Sequence, residues 1–248
     1  MVSSFSRWTS CGMAVLVLIC ALLCMPKCQE AQSSARLAIS HVTLIDATGA
    51  PPKPDMTLVI RGDRIVQVTP SSKMVLPAQT MQIDGRGKFV IPGLWDMHTH
   101  VLEFSEIWLP VLIAHGVTGI RNMHNVSLET GIKLRTDVET GKVLGPHIVL
   151  SGPLVDGPAA VWPFAIKVST AAEGRTAVRT LKNGGADFIK VYSFLPREAY
   201  FAIADEARHQ QTPFAGHVPK EITVEEASQE GQKSIEHLDR ELLSSASQ

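Results

Sequence analysis

A pair of histidines two positions apart is the clearest chemical feature of this sequence. His98 and His100 follow Pro92-Gly93 and come at the carboxyl end of a strand predicted over residues 89–95. Side chains at positions i and i+2 of a strand point to the same side, so both imidazoles face one space. Two imidazoles that face one space can bind a single cation such as zinc. The pair therefore predicts one half of a metal site.

Three more polar residues recur at matching positions further along the chain. Lys190 lies inside a strand predicted over residues 188–192, and His217 and His237 come at the ends of strands predicted over 214–218 and 234–238. The intervals from Lys190 to His217 and from His217 to His237 are 27 and 20 residues, which is one strand–helix unit each. A single buried histidine is usually a hydrogen-bonded core residue, and a single lysine can extend from a sheet edge to solvent. Their common placement at strand ends favours one functional site instead.

Strands and helices alternate from residue 89 onward, which predicts an α/β protein with a parallel sheet. Predicted strands cover residues 89–95, 117–123, 147–150, 188–192, 214–218 and 234–238. Predicted helices cover residues 107–114, 128–139, 171–183, 197–210 and 224–229. This order fits either a doubly wound open sheet or a (β/α)8 barrel. No Gly-x-Gly-x-x-Gly follows the first strand, which disfavours a nucleotide-dependent oxidoreductase, and the histidines at the strand ends favour the barrel.

Residues before 89 have a different pattern, that of short strands. A strand is predicted over residues 37–45, and strands over 57–60 and 64–68 flank Arg61-Gly62-Asp63. Glycine and aspartate at that position predict a hairpin turn. Arg-Gly-Asp is also a cell-adhesion tripeptide, but it occurs by chance too often to outweigh the turn.

Composition excludes several classes of protein. The 248 residues are 45% hydrophobic and 19% charged, which suits a globular chain and not a disordered or collagen-like one. With 23 basic and 24 acidic residues and no basic block, a nucleic-acid partner is not expected. The four cysteines all fall within the first 28 residues, so cysteine-ligated zinc, disulfides and a cysteine nucleophile are excluded from the rest.

The first 35 residues have the features of a signal peptide. Arg7 precedes an apolar run over residues 13–25, and Ser33-Ser34-Ala35 offers small residues for cleavage. We therefore expect export to the periplasm or the extracellular space. The alternative is an uncleaved helix that anchors the protein in a membrane. Apolar runs after residue 30 are too short to predict other contact with a bilayer.

The residues around the histidine pair closely resemble the amidohydrolase superfamily of metal-dependent hydrolases. The resemblance runs from about residue 37 to residue 238 and is most specific over residues 83–100, which contain Pro92-Gly93 and His98-Thr99-His100. Residues 188–193, 214–219 and 234–238 resemble that family's fourth, fifth and sixth barrel strands. The overall pattern is similar to the branch of imidazolonepropionase-like enzymes and Xaa-Pro dipeptidases.

The resemblance implies a fold and a set of ligands. It implies a β-sandwich portion over residues 36–88 and a metal-bearing barrel over residues 89–248. It also implies two divalent cations, with zinc favoured. His98 and His100 would bind the more buried cation, a carboxylated Lys190 would bridge both, and His217 and His237 would hold the second. A hydroxide acidified by the cations would then attack the carbonyl of a small-molecule substrate. His124, which follows the second strand, and Tyr192 are expected to contact that substrate.

One feature of the family is not matched. The family places an essential aspartate at the end of strand eight, whereas only about ten residues follow the predicted sixth strand here, and Asp239 is too close to His237 to replace it. The expectation is an incomplete barrel of about six of the eight strand–helix units. Its open edges would lead to aggregation or to a homo-oligomer. Two functions stay open: a hydrolase of carbon–nitrogen bonds, and a truncated, catalytically inactive relative or binding module.

Overall fold

A computed structural model describes residues 36–238 of the chain. The chain divides into two compact units, and the boundary falls between Pro92 and Gly93. The expected signal peptide and Asp239 lie outside the described residues. Within residues 36–238, no helix has the length and apolar character needed to cross a bilayer.

The first unit is built on a sheet of five strands. The strands are β1 (Arg36–Leu44), β2 (Lys53–Arg61), β3 (Arg64–Pro70), β4 (Met81–Asp84) and β5 (Phe89–Val90). The order is β3-β2-β1-β4, with β5 also paired to β1. The predicted hairpin is confirmed, because Arg61 pairs with Arg64 and Gly62 has a φ of 59°, a left-handed value that glycine tolerates.

The second unit combines parallel strands with helices, as the sequence predicts. Its strands are β6 (Leu94–Thr99), β7 (Val117–Asn122), β8 (His147–Leu150), β9 (Val155–Asp156), β10 (Ile166–Lys167), β11 (Ile189–Val191) and β12 (Phe214–Gly216). Its helices are α1 (Ser105–Ala114), α2 (Leu128–Glu139), α3 (Ala171–Asn183), α4 (Arg197–His209) and α5 (Val224–Gln229).

The strands of this unit form two parallel sheets. One has the order β6-β7-β8 and the other β10-β9-β11-β12. Helices α3 and α4 cover the second sheet with a buried apolar core that includes Val178, Ile189 and Ile203. Because the paired strands described in this unit are parallel, the carboxyl ends of neighbouring strands lie on one side.

The predicted strand over residues 89–95 is wrong as a single element. Phe89–Val90 pairs with β1 in the first unit, and the next strand begins only at Leu94. Pro92 lacks a backbone N–H and cannot continue a sheet ladder. The N–H of Leu94 instead donates to Gly116 O at 3.1 Å, which starts the sheet of the second unit.

The strand predicted over residues 234–238 is also wrong, because only Ile235 pairs with another strand. Ile235 forms an isolated parallel bridge with Gly216, supported by the bond from Glu236 N to Gly216 O at 3.0 Å. His237 and Leu238 then adopt left-handed φ values of 66° and 56°, which an extended strand does not allow. His237 therefore follows a short bridge instead of ending a strand.

Candidate metal centre

His98 and His100 are brought together as their spacing predicts. His98 lies near the end of β6 and His100 directly follows the strand, while Thr99 between them is buried on the other face. The Nε2 atoms of the two imidazoles lie 3.0 Å apart. Two ring nitrogens at this separation can share one cation once both are unprotonated, so the pair fits the predicted role.

Neutral imidazoles are required for metal binding, and the surroundings of both rings favour the neutral form. Burial lowers the pKa of His98, although a hydrogen bond to Glu236 opposes this shift. Partial desolvation of the His100 ring, together with the charges of His124 and His98, lowers the pKa of His100 to about 4. Both rings are therefore available as ligands at neutral pH.

Lys190 occupies the middle of β11 and is 1% exposed. Its Nζ atom has no hydrogen-bond partner among the described residues. Burial lowers the pKa of Lys190 to about 8; the carboxylate of Glu236 opposes this and the charge of Arg121 adds to it. A buried ammonium without a partner is unfavourable, so this position raises the fraction of neutral amine above that of an ordinary lysine.

The other two predicted ligands complete one cluster of rings. The His237 ring centroid lies 4.6 Å from that of His98 and 5.1 Å from that of His217. His217 directly follows β12, and its Nδ1 lies 2.9 Å from the hydroxyl of Ser193. Tyr192 packs against His217 with ring centroids 4.0 Å apart.

The backbone next to His217 depends on a glycine. Gly216 has a φ of 140°, and a Cβ atom there would collide with the backbone of Val191. His217 N donates to Val191 O at 3.1 Å across this close approach. Glycine therefore allows β12 to reach β11 closely enough to aim His217 at the site.

The donor set fits divalent cations, but the side chains do not close around one as they stand. Within residues 36–238, no three His, Cys, Asp or Glu side chains meet at a distance that would hold an ion. The converging Nε2 atoms and the buried unpartnered amine of Lys190 nevertheless match nitrogen and carbamate ligands. Coordination therefore requires side-chain movement.

Two residues that the sequence analysis did not select lie beneath the cluster. Glu236 accepts a hydrogen bond from His98 Nδ1 at 2.6 Å and from Arg121 Nη2 at 2.7 Å. Hydrogen bonds from Ser234 and His98 and the charge of Arg121 outweigh burial, so the pKa of Glu236 is lowered. Both residues carry a signal in the sequence: Arg121 is a charge inside a predicted strand, and Glu236 stands next to the candidate ligand His237.

Aromatic side chains line the rim of the site next to His100. His124 Nδ1 lies 2.6 Å from His100 Nδ1, and the His124 ring stacks on Phe164 with centroids 4.6 Å apart. Trp162 extends the stack, 5.6 Å from Phe164. The buried side chain of Asn122 fixes this loop by donating to His124 O at 2.5 Å. His124 thus contacts a predicted ligand directly.

Comparison with known proteins gives related sequences and folds. No family model matches the chain. A curated adenine deaminase from Rubrobacter xylanophilus is 31% identical over 121 residues, which cover 46% of this chain and 20% of that protein. The chain thus matches about a fifth of the length of this curated relative.

Solved structures resemble a larger part of the chain. One is a protein from Bifidobacterium longum assigned as a prolidase, which is 32% identical to this chain with a TM-score of 0.65. The match covers 74% of this chain and 49% of the length of that protein. Another is the Bottromycin amidohydrolase, which is 25% identical with a TM-score of 0.67. That match covers 81% of this chain and 42% of the length of the amidohydrolase. The chain therefore spans about half the length of these structures.

Proposed function

This chain belongs to the amidohydrolase superfamily, and from that premise we propose that it is a metal-dependent hydrolase of carbon–nitrogen bonds. The observation that carries the proposal is the meeting of the His98 and His100 Nε2 atoms, 3.0 Å apart, with the buried Lys190 near enough for its charge to act on both rings. Relatives named as a deaminase, a prolidase and an amidohydrolase support this class of reaction.

The parallel strands of the second unit support a further proposal about the architecture. We propose that β6, β7, β8, β11, β12 and the segment at Ile235 occupy six consecutive positions of a (β/α)8 barrel. All the proposed ligands then lie at the carboxyl ends of barrel strands or within them, where barrel enzymes place their active sites.

Lys190 is proposed to act as a carbamate. With a pKa lowered to about 8 by burial, about a tenth of the Lys190 side chains carry a neutral amine at pH 7, far more than for an ordinary lysine. The amine adds carbon dioxide, which forms a carbon–nitrogen bond and releases one proton, so that Nζ carries a carboxylate. That anion would bridge two cations, with His98 and His100 on one and His217 and His237 on the other.

Bound divalent cations supply Lewis acidity and lower the pKa of water. The chain's own side chains do the rest in this proposal. The ring of Tyr192 and the stack of His124, Phe164 and Trp162 form two aromatic walls beside the ligands. They would hold the substrate flat against the site and keep water from its scissile bond.

Metal analysis and an amide-hydrolysis assay test the function. The whole chain is purified with zinc, cobalt or manganese and incubated with Xaa-Pro dipeptides, N-acyl amino acids and adenine. We expect bound metal and release of amine or ammonia, both lost in the variant His98→Ala with His100→Ala. Equal metal content in wild type and variant would contradict the site. Bound metal without turnover of any substrate would instead support the alternative, an inactive binding module.

A further inference from the structure

Glu236 is a buried carboxylate at the centre of a network that joins three segments. It is 7% exposed. Its Oε2 atom accepts from His98 Nδ1 at 2.6 Å, and its Oε1 atom accepts from Arg121 Nη2 at 2.7 Å and from Ser234 Oγ at 2.6 Å. Both carboxylate oxygens are therefore engaged by donors of the chain.

These bonds decide which nitrogen of His98 carries the proton. A carboxylate oxygen accepts hydrogen bonds, so the bond of 2.6 Å requires a proton on Nδ1. In the neutral ring the lone pair then belongs to Nε2, which is the atom that lies 3.0 Å from Nε2 of His100. The carboxylate thus selects the tautomer whose lone pair points into the proposed metal site.

Arg121 holds the carboxylate in this position. Its Nη2 binds Glu236, its Nη1 donates to Ser234 Oγ at 3.0 Å, and its Nε donates to Met97 O at 2.7 Å. Met97 directly precedes His98, so one guanidinium fixes both the backbone beside the ligand and the carboxylate that orients its ring. A planar guanidinium with several fixed donors is suited to this task.

We propose that Glu236, held by Arg121, is a positioning residue that fixes the ring and tautomer of His98 for cation binding. The proposal rests on the proposed metal site. It differs from a role as a ligand, because each oxygen of Glu236 already accepts from a protein donor. Partners of this kind behind a ligating histidine typically change metal affinity by about 10–100-fold when removed.

The decisive measurement is the tautomer of His98 in the metal-free chain. Long-range proton–nitrogen NMR correlations of chain labelled with nitrogen-15 in histidine distinguish Nδ1–H from Nε2–H, and the His98→Gln variant identifies the signals. We expect Nδ1–H in wild type and a mixture of tautomers in Glu236→Gln. Wild type with the proton on Nε2 would overturn the proposal, and this outcome needs no variant to fold.

Metal affinity gives the second measurement. Zinc titration against a competing chelator is expected to show binding weakened about 10–100-fold in Glu236→Gln, with the far-ultraviolet circular dichroism unchanged. Glu206→Gln is the matched control, because Glu206 is also buried and bonded to an arginine, Arg179, but lies on α4. It should bind zinc like wild type.

The outcomes separate this proposal from the proposed function. Unchanged affinity with an unchanged tautomer in Glu236→Gln overturns the positioning role. Complete loss of one bound zinc with an unchanged tautomer also overturns it, because Glu236 would then be a ligand. A wild-type chain that binds no cation contradicts the proposed function, while the tautomer shift still decides whether Glu236 orients His98.

Discussion

His124 Nδ1 lies 2.6 Å from His100 Nδ1, so the two rings share one proton between these atoms. With a cation on the proposed ligand atom of His100, its Nε2, the Nδ1 of His100 would donate and the Nδ1 of His124 would accept. Both members of the His-x-His pair thus have a partner behind them, Glu236 for His98 and His124 for His100. His124, which is expected to contact substrate, is therefore also expected to orient His100.

Replacement of His124 is expected to weaken metal binding through His100. His124→Phe retains an aromatic ring against Phe164 but removes the acceptor for His100 Nδ1. We expect zinc affinity to fall about tenfold, measured by chelator competition. Phe164→Leu is the control, since it disturbs the stack and leaves the acceptor in place. Equal affinity in wild type and His124→Phe would show that the bond between the two imidazoles does not support the site.

Removal of the Lys190 amine is expected to abolish metal binding, and a small added carboxylate is expected to restore part of it. Lys190→Ala leaves a gap where a carbamate would bridge the cations, and added acetate or propionate should partly restore metal content. Lys190→Arg should not bind metal, because guanidinium does not form a carbamate. Lys167→Ala, on β10, serves as the control. Full metal content in Lys190→Arg would show that the bridging role is wrong.

The sequence predicted the elements best where the chain carries strong local signals. Helices α2, α3 and α5 have the predicted bounds, and each begins with a side-chain cap. Ser127 caps α2, and Thr170 with Glu173 and Thr223 with Glu226 form capping boxes for the other two. Such signals act over three or four residues, so a single sequence contains them.

The contacts that hold the site together act over much longer separations. Arg121 and Glu236 are 115 positions apart, and the bond between His98 and Glu236 spans 138 positions. The sequence placed His98, His100, Lys190, His217 and His237 in one region because parallel strands align their ends. It could not show which carboxylate would meet which imidazole, nor that two-residue strands β9 and β10 would extend the second sheet.

Asp156 is expected to give the folded state an unusual pH dependence. The Asp156 side chain is fully buried. Its Oδ1 atom accepts hydrogen bonds from Gly157 N at 2.9 Å and Phe194 N at 2.7 Å. Its Oδ2 atom has no hydrogen-bond partner within the described part of the chain. Burial raises the pKa of Asp156 despite these bonds. Above its ordinary pKa of 3.8 the folded state therefore retains a proton that the unfolded state has lost. This contribution to the free energy of unfolding falls as pH rises through the raised pKa.

Asp156→Asn tests this sign, because the amide oxygen can still accept while the charge is gone. The stability of the variant relative to wild type should increase from about pH 4 to about pH 7 in urea unfolding. Asp205→Asn should show the opposite sign and only at lower pH: a hydrogen bond from Arg175 lowers the pKa of Asp205, so its stabilising charged form is lost as pH falls below 3.8, and little change is expected between about pH 4 and about pH 7. If the free energies of unfolding of wild type and Asp156→Asn changed with pH in the same way, the raised pKa of Asp156 would be refuted.

Helix α1 is expected to promote self-association. Ile107, Trp108 and Val111 form an apolar stripe that is 58%, 47% and 42% exposed, whereas Leu109 on the inner face is buried. Contiguous apolar surface of this kind favours association. Ile107→Glu with Val111→Lys places an opposite-charge pair at i and i+4 and should shift the chain toward monomer in sedimentation velocity. Wild-type chain that is monomeric at all concentrations would contradict this expectation.

Gly216 is expected to be the glycine whose replacement most disturbs the site. Gly216→Ala adds backbone strain at a φ of 140° and a collision with Val191, which together should cost about 2–5 kcal/mol. Gly141→Ala is the matched control: its φ is 73°, also unfavourable for alanine, but its Cβ would meet open space. Strain alone should then cost about 1–2 kcal/mol. Urea unfolding measures both, and zinc affinity should fall only in Gly216→Ala, because only there does a candidate ligand, His217, come next. Similar costs and similar affinities in the two variants would mean that β12 can move away from β11 without displacing the site.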